Sequence, residues 1–253
     1  MSNRYFLTAG RILNDVAIDV GLESSSDPVA STEKQFVQLT RQLSIAIEEL
    51  AEVHEWEQFK REHTFTTDDS VAGPPDQTIG EYALPADFHY MIDQTQWDRS
   101  NDVPLGGPMS SQDWQYLLGR DLVSSTIYAS FRQQEGVLAL WPKPPADGLV
   151  IAFEYASTNW IRNAADSAYI KVIEDQADVI WMAPSLLRAY LKAKYLGSKG
   201  FSNIDATTAV AYFLNSAGGK NGGAPTLSVG GGKRNRYPYL EQGRNLPDTG
   251  YGS

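Results

Sequence analysis

The chain contains no cysteine. Disulfides, thiolate metal sites and a cysteine nucleophile are excluded at once. Histidine is scarce: His54, His63 and His89 are too few and too far apart in sequence for a histidine-rich metal centre. No uninterrupted apolar run is long enough to span a bilayer, and the opening Met-Ser-Asn-Arg-Tyr-Phe-Leu lacks the apolar core of a signal peptide. Neither a membrane segment nor a secretory leader is therefore expected. Positive charge is in deficit, with 21 Lys and Arg against 31 Asp and Glu, a net charge of −10. An acidic body repels nucleic-acid phosphate instead of gripping it. What is present is 253 residues of ordinary globular composition, enough for one large domain or two small ones.

The charge is uneven. Residues 220–253 hold Lys220, Lys233, Arg234, Arg236 and Arg244 against Glu241 and Asp248, so an acidic body carries a basic tail. The tail is rich in glycine and proline and too poor in apolar residues to bury a core. Its scattered Tyr237, Tyr239 and Leu240 suggest a segment that orders on a partner.

Ahead of the tail, the periodicity divides the chain into helix, strand and helix again. Ile12, Leu13, Val16 and Val20 predict a first helix over about 8–22, closed by Gly21. Thr32 and Gln35 have the spacing of a capping box at the start of a second helix over about 32–56. Its apolar stripe is Phe36, Leu39, Leu43, Ala46, Ile47, Leu50 and Val53, and Glu48, Glu49, Glu52 and Glu55 cluster on the polar side. From Phe59 the alternation is that of strands. Segments over 59–67, 79–84, 88–97, 126–133, 136–141 and 149–155 predict an antiparallel meander, with a short helix capped by Ser110. Helical spacing returns at Pro184 and again over about 203–217, with Gly197 and Gly218-Gly219 placed to stop the two helices. The expected fold is α+β. A small bundle from the N- and C-terminal helices (1–58 and 183–219) brackets a β-rich insertion (59–182), followed by an extended tail (220–253).

Candidate chemistry is thin. The four glutamates could supply the carboxylate pair of a glycosidase, but on the polar face of a helix such residues simply meet water. His89 lies among aromatics, where a packed histidine is the ordinary outcome. Gly230, Gly231 and Gly232 precede Lys233, yet no Ser or Thr follows and no strand leads in, so this is no phosphate loop. Trp97, Trp114, Trp141 and Trp160 could stack sugar rings, or could pack the insertion and anchor an interface. No catalytic, metal or cofactor set is expected, and no cofactor.

The most unusual stretch is Tyr82–Leu118. Leu84-Pro85-Ala86-Asp87-Phe88, Trp97-Asp98-Arg99, Pro104-Leu105-Gly106-Gly107-Pro108-Met109 and Gln112-Asp113-Trp114-Gln115-Tyr116 resemble the head-to-tail adaptor (connector) proteins of tailed phages, the group similar to the P22-type tail accessory factors. Leu138-Ala139-Leu140-Trp141-Pro142, Ile151–Tyr155 and Asn159-Trp160 fit the same family. The resemblance covers about 5–215 and implies a structural protein of the virion, not an enzyme. It implies a ring of twelve copies below the portal protein that extends the DNA channel and carries tail tube, nozzle or fibre proteins. Its partners would be the portal, neighbouring copies, those tail proteins and genomic DNA in transit, with no membrane. The tail would dock on the portal through Lys233, Arg234, Arg236, Tyr237, Tyr239, Leu240 and Arg244. Trp97, Arg99, Trp114, Tyr116, Trp141 and Trp160 would anchor the insertion or an interface, and Glu48, Glu49, Glu52 and Glu55 would face the channel. The rival readings are a wall-degrading hydrolase carried in the virion and a carbohydrate-binding tail module.

Overall fold

The computed structural model describes residues 5–68, 80–119, 130–134, 136–142 and 146–220. In chain order the elements are β1 (Leu7–Thr8), α1 (Ala9–Asp19), α2 (Lys34–Val53), β2 (Lys60–Thr66), β3 (Glu81–Ala83), β4 (Phe88–Met91), β5 (Trp97–Asp98) and β6 (Val103–Pro104). After them come α3 (Ser111–Leu118), β7 (Ser130–Gln134), β8 (Val137–Trp141), β9 (Val150–Ser157), β10 (Ile161–Arg162), β11 (Tyr169–Ile170), β12 (Val179–Ile180), α4 (Pro184–Ser198) and α5 (Ile204–Lys220). The protein is α+β, with helices at both ends of the sequence and antiparallel strands between, as the periodicity predicts.

The chain folds as two compact units. One, the helical unit, takes the described residues up to Arg61, the short segment Asp87–Tyr90 and the chain from Ala156 through α5. The other, the β unit, takes Glu62–Ala86 and Met91–Tyr155.

In the helical unit the stripes read from sequence meet in one cluster, except that Val53 at the end of α2 is exposed. Ile12, Leu13 and Val16 of α1, Phe36, Leu39, Leu43, Ile47 and Leu50 of α2, and Leu186, Leu187 and Leu191 of α4 are all buried in it. Helix α4 packs against α1, α2 and α5. Each large apolar side chain so buried contributes about 1.5–3 kcal/mol. Thr8 caps α1 by accepting from the Arg11 N–H at 3.3 Å. The Trp56 indole N–H donates to the Leu50 carbonyl at 2.8 Å, tying off the end of α2. A four-stranded antiparallel sheet, ordered β1-β12-β10-β11, completes the unit. Ile180 stands opposite both Leu7 and Ile161 in it.

Three local expectations change. Helix α2 starts at Lys34 behind an extended Glu33, with no side-chain cap. The Gln35 amide donates to the Glu33 carboxylate at 3.1 Å, so Thr32 and Gln35 form no capping box. Gly197 lies within α4 and does not end it; a Cβ there would come within 3.2 Å of Asn203 Nδ2, so the position suits glycine for space. The left-handed turn that leads away from the helix is made by Gly200, at φ +76°. Gly218 and Gly219 lie inside α5, since a glycine costs a helix only about 1 kcal/mol.

The β unit is built on two sheets, ordered β2-β9-β5-β6 and β3-β8-β7. The predicted hairpin is present as β7 and β8, turning at Gly136 with φ +79°. The next predicted strand does not extend that hairpin into a meander. It is β9, an inner strand of the other sheet, and nearly all of its residues are buried, as suits a strand covered on both faces. Helix α3 is capped as expected. Ser110 accepts from the Asp113 N–H at 3.1 Å, and its hydroxyl donates to the Asp113 carboxylate at 2.7 Å.

Candidate interaction surfaces

Helix α5 departs from the pattern of the other helices. From Thr207 to Gly219 it carries no charged residue. One side packs on the helical cluster through Val210, Phe213, Leu214 and Ala217. The opposite side is not covered. Ile204 is 72% exposed and Tyr212 69%, and Phe201, just before the helix, is 64% exposed. Steps of four and three place Ile204, Thr208, Ala211 and Asn215 on one stripe, with Tyr212 at its edge. That side is uncharged but mixed, with Ile204 and Tyr212 as its large apolar members beside Thr208 and Asn215.

Beside this face, α1, α4 and α5 enclose a groove of about 560 Å³. Ile18, Ala189, Ala206, Ala209 and Phe213 supply its apolar lining. Its charges are largely self-neutralised. The Arg188 guanidinium donates to Asp15 at 2.9 Å, and the Lys192 ammonium to Asp19 at 3.4 Å, each pair joining α4 to α1. Asp205, in the first turn of α5, is the remaining charge in the lining.

The glutamate cluster of α2 is divided by the fold. Glu48 and Glu52 are exposed. Glu49 reaches α4, where it accepts from the Lys194 ammonium at 2.8 Å and from the Tyr190 hydroxyl at 2.6 Å. The hydrogen bond from Lys194, reinforced by that from Tyr190, holds the Glu49 carboxyl below the ordinary carboxylate range. Burial, with the bond to Glu49, pushes the Tyr190 hydroxyl up to about 12. Glu55 lies 3.9 Å from Lys60. Glu49, Lys194 and Tyr190 thus tie α2 to α4, while Glu55 lies beyond the end of α2.

The motifs of the Tyr82–Leu118 stretch have structural tasks. Asp87 accepts from Arg61 at 2.9 Å and from the Ser157 hydroxyl at 2.6 Å, while its carbonyl accepts from the Thr158 N–H. Arg61 also donates to the Asn159 carbonyl and stacks 4.4 Å from the Tyr169 ring centre. One carboxylate thus pins three passes of the chain in the helical unit. Buried Asp98 accepts from the Ser100 and Asn101 N–H groups and from the Asn101 amide, closing the turn between β5 and β6. Gly107 leaves no room for a side chain without a local shift, because a Cβ would lie 2.6 Å from the Phe131 carbonyl oxygen and 2.7 Å from its ring.

The six expected anchors are dispersed. Trp114 is 3% exposed in the β unit and Trp160 is 5% exposed in the helical unit, where it packs against Phe59. Trp141 is half-buried at the end of β8, and Tyr116 is exposed on α3. Trp97 and Arg99 come together in a second groove of about 450 Å³ in the β unit, lined also by Glu62, Asp102 and Glu154. Arg99 pairs there with Glu62 at 2.6 Å. His63 and His89 lie beside aromatic rings, Phe153 and Tyr90 respectively. Lys233, Arg234, Arg236, Tyr237, Tyr239, Leu240 and Arg244 lie outside the described residues. Among the described residues no group of carboxylates and histidines could hold a metal ion, and no helix is long and apolar enough to cross a membrane. The exposed face of α5 was overlooked by reading its stripe for the core side alone. Its signal in the sequence is the uncharged run from Thr207 to Gly219.

The SU10 adaptor protein family matches residues 7–218, most of the chain, and the chain belongs to that family. No curated protein matches it. The family is one of phage adaptors with a structural role, which agrees with the resemblance carried by the Tyr82–Leu118 motifs.

Proposed function

We propose that this member of the SU10 adaptor family is the subunit of a head-to-tail ring in the virion. Twelve copies close below the portal protein, continue its DNA channel and offer tail tube, nozzle or fibre proteins a platform. The observation that supports this best is the uncovered, uncharged side of α5. Each copy carries a net charge of −10, and a contact through this stretch adds no like charge to the pair. Charge-free apolar patches with aromatic residues are what the centre of a protein interface requires.

Residues 220–253 bind the portal in this reading. Lys233, Arg234, Arg236 and Arg244 supply charge, while Tyr237, Tyr239 and Leu240 supply apolar contact. A segment that orders on binding gains contact area at an ordering cost. The exposed acids Glu48 and Glu52 belong to the channel wall, with Glu49 and Glu55 beside them held in ion pairs. A wall of that sign lets DNA pass without sticking.

Electron microscopy and mass measurement, with and without the purified portal, test the proposal. The expected result is a ring seated on the portal. Removing residues 225–253 should leave a folded protein that no longer joins it. Absence of any ring, alone or on the portal, would overturn the reading.

A further inference from the structure

The groove of the β unit takes its shape from the pairing of β5 with β9. Trp97 stands opposite Ala152, so an indole faces a methyl group across the ladder and a recess opens beside the ring. Alternation puts Arg99 on the same side as Trp97, and Glu154 on the same side as Ala152. Glu62 of β2 closes one wall by pairing with Arg99. Gln94 stands on the turn before β5 and Asp102 on the turn after it. Both have left-handed backbone, at φ +63° and +54°. That conformation is uncommon for glutamine, and persists where the surroundings hold it, often at ligand sites. The first turn is held by the Thr95 hydroxyl, which donates to the Ile92 carbonyl at 2.8 Å. The second is held by the buried Asp98, which accepts from the Ser100 and Asn101 N–H groups.

We propose that this groove binds a neutral saccharide, with a sugar ring stacked on Trp97 and its hydroxyls held by Arg99, Asp102 and Glu154. This goes beyond the ring reading and does not rest on it, because every residue involved lies in the β unit of one copy. Three observations carry it. A sugar ring has an apolar C–H face and a rim of hydroxyls, and an indole beside polar groups matches both. The rim here offers every kind of partner a hydroxyl needs. Carboxylates accept, the guanidinium donates and the Gln94 amide does both. Among the described residues, no side-chain hydrogen bond occupies Gln94, Asp102 or Glu154. Charge then narrows the ligand. Three carboxylates against one guanidinium repel an anion, and Arg99 beside the indole opposes an organic cation stacked there. Because both turns are fixed in advance, little ordering is needed on binding.

Isothermal titration calorimetry and ligand-observed NMR on the full chain test the proposal. The probes are cellotriose, maltotriose, chitotriose and an array of other neutral glycans, with sialyllactose and choline as charged controls. The expected result is saturable binding of at least one neutral glycan and of neither control. Trp97→Ala should weaken that binding about tenfold, whereas Trp97→Tyr keeps a stacking face and retains most of it. Asp102→Asn and Glu154→Gln change exposed positions, so each should weaken binding roughly three- to tenfold with thermal unfolding unchanged. The proposal falls if no neutral glycan binds saturably. It falls equally if choline binds in their place, or if a glycan binds the wild type, Trp97→Ala and Glu154→Gln alike.

Discussion

The helical unit closes on one large cluster that joins aliphatic side chains to Phe36, Trp56, Phe59 and Trp160, whereas the β unit buries a smaller set, Phe131, Leu138, Leu140, Ile151 and Phe153, and is tied further by turns, a capped carboxylate and the tight contact at Gly107. Their surfaces differ more. The helical unit leaves Ile18, Val37, Val53, Phe201, Ile204 and Tyr212 exposed, while among the described residues of the β unit the large exposed apolar side chains are Tyr116 and Leu118. The β unit is the richer in unusual sequence, yet Leu105 and Trp114 are buried in it and Gly107 lies hard against Phe131, while Pro108, Gly136 and Gly148 are exposed at its turns. Dense aromatic sequence therefore marked a well-packed corner. The surface suited to association lies on a helix whose sequence looks plain. A long uncharged run on an exposed helix says more about an interface than tryptophan count does, because interface centres are poor in charge.

That contrast can be broken or sharpened by substitution. The largest effect should come from Trp160→Ala, which opens a cavity beside Phe59 and should cost about 3–5 kcal/mol in denaturant unfolding. A loss well under 1 kcal/mol would show that the sheet of the helical unit is no part of its core. Asp87→Asn strips the charge that meets Arg61 and should cost about 1.5–3 kcal/mol, seen as a lowered urea midpoint. Gly107→Ala drives a methyl group into the backbone and ring of Phe131. It should cost about 1–3 kcal/mol and open amide exchange in β7 and β8 while sparing α4.

Glu49→Gln probes the α2–α4 tie through pH. The folded carboxyl titrates below its ordinary range, so its stabilisation is present above the unfolded value and is lost as pH falls through the folded one. The wild type should lose an increment on acidification that the variant lacks. With the Glu49 side chain 42% exposed, that increment stays within about 1 kcal/mol. The smallest effect belongs to Tyr212→Ala, expected within about 0.5 kcal/mol of the wild type in thermal unfolding, since the ring touches little of its own chain. Comparable losses from Tyr212→Ala and Trp160→Ala would erase the distinction between a surface made for a partner and a core.

Much of the helical frame was legible. The stripes of α1, α2 and α4 are local facts, repeated every turn, and any fold that buries them must pack those faces together. The cap of α3 was equally legible, because Ser110 and Asp113 need only each other. Other features were not. Nothing in the residues from Ala156 to Ile180 says that they join the helices, since two-residue strands such as β10 and β12 carry too short a pattern to name a partner. Thr32 and Gln35 had the right spacing and no cap formed. Glu49 reads as one of four equal surface acids, and only α4, more than a hundred residues away, singles it out with Lys194 and Tyr190. The projecting side of α5 was legible in principle, but a stripe assigned to a core hides the opposite face.

By itself, then, the sequence determined the absences, the places of the helices and the family motifs. Each depends on composition or on residues within a few turns of one another. Tertiary structure alone decided which strands share a sheet, which carboxylate is tied, which tryptophans are buried and which side of α5 stays bare. Those outcomes depend on which distant surfaces exclude water from one another, and local spacing carries no record of that choice.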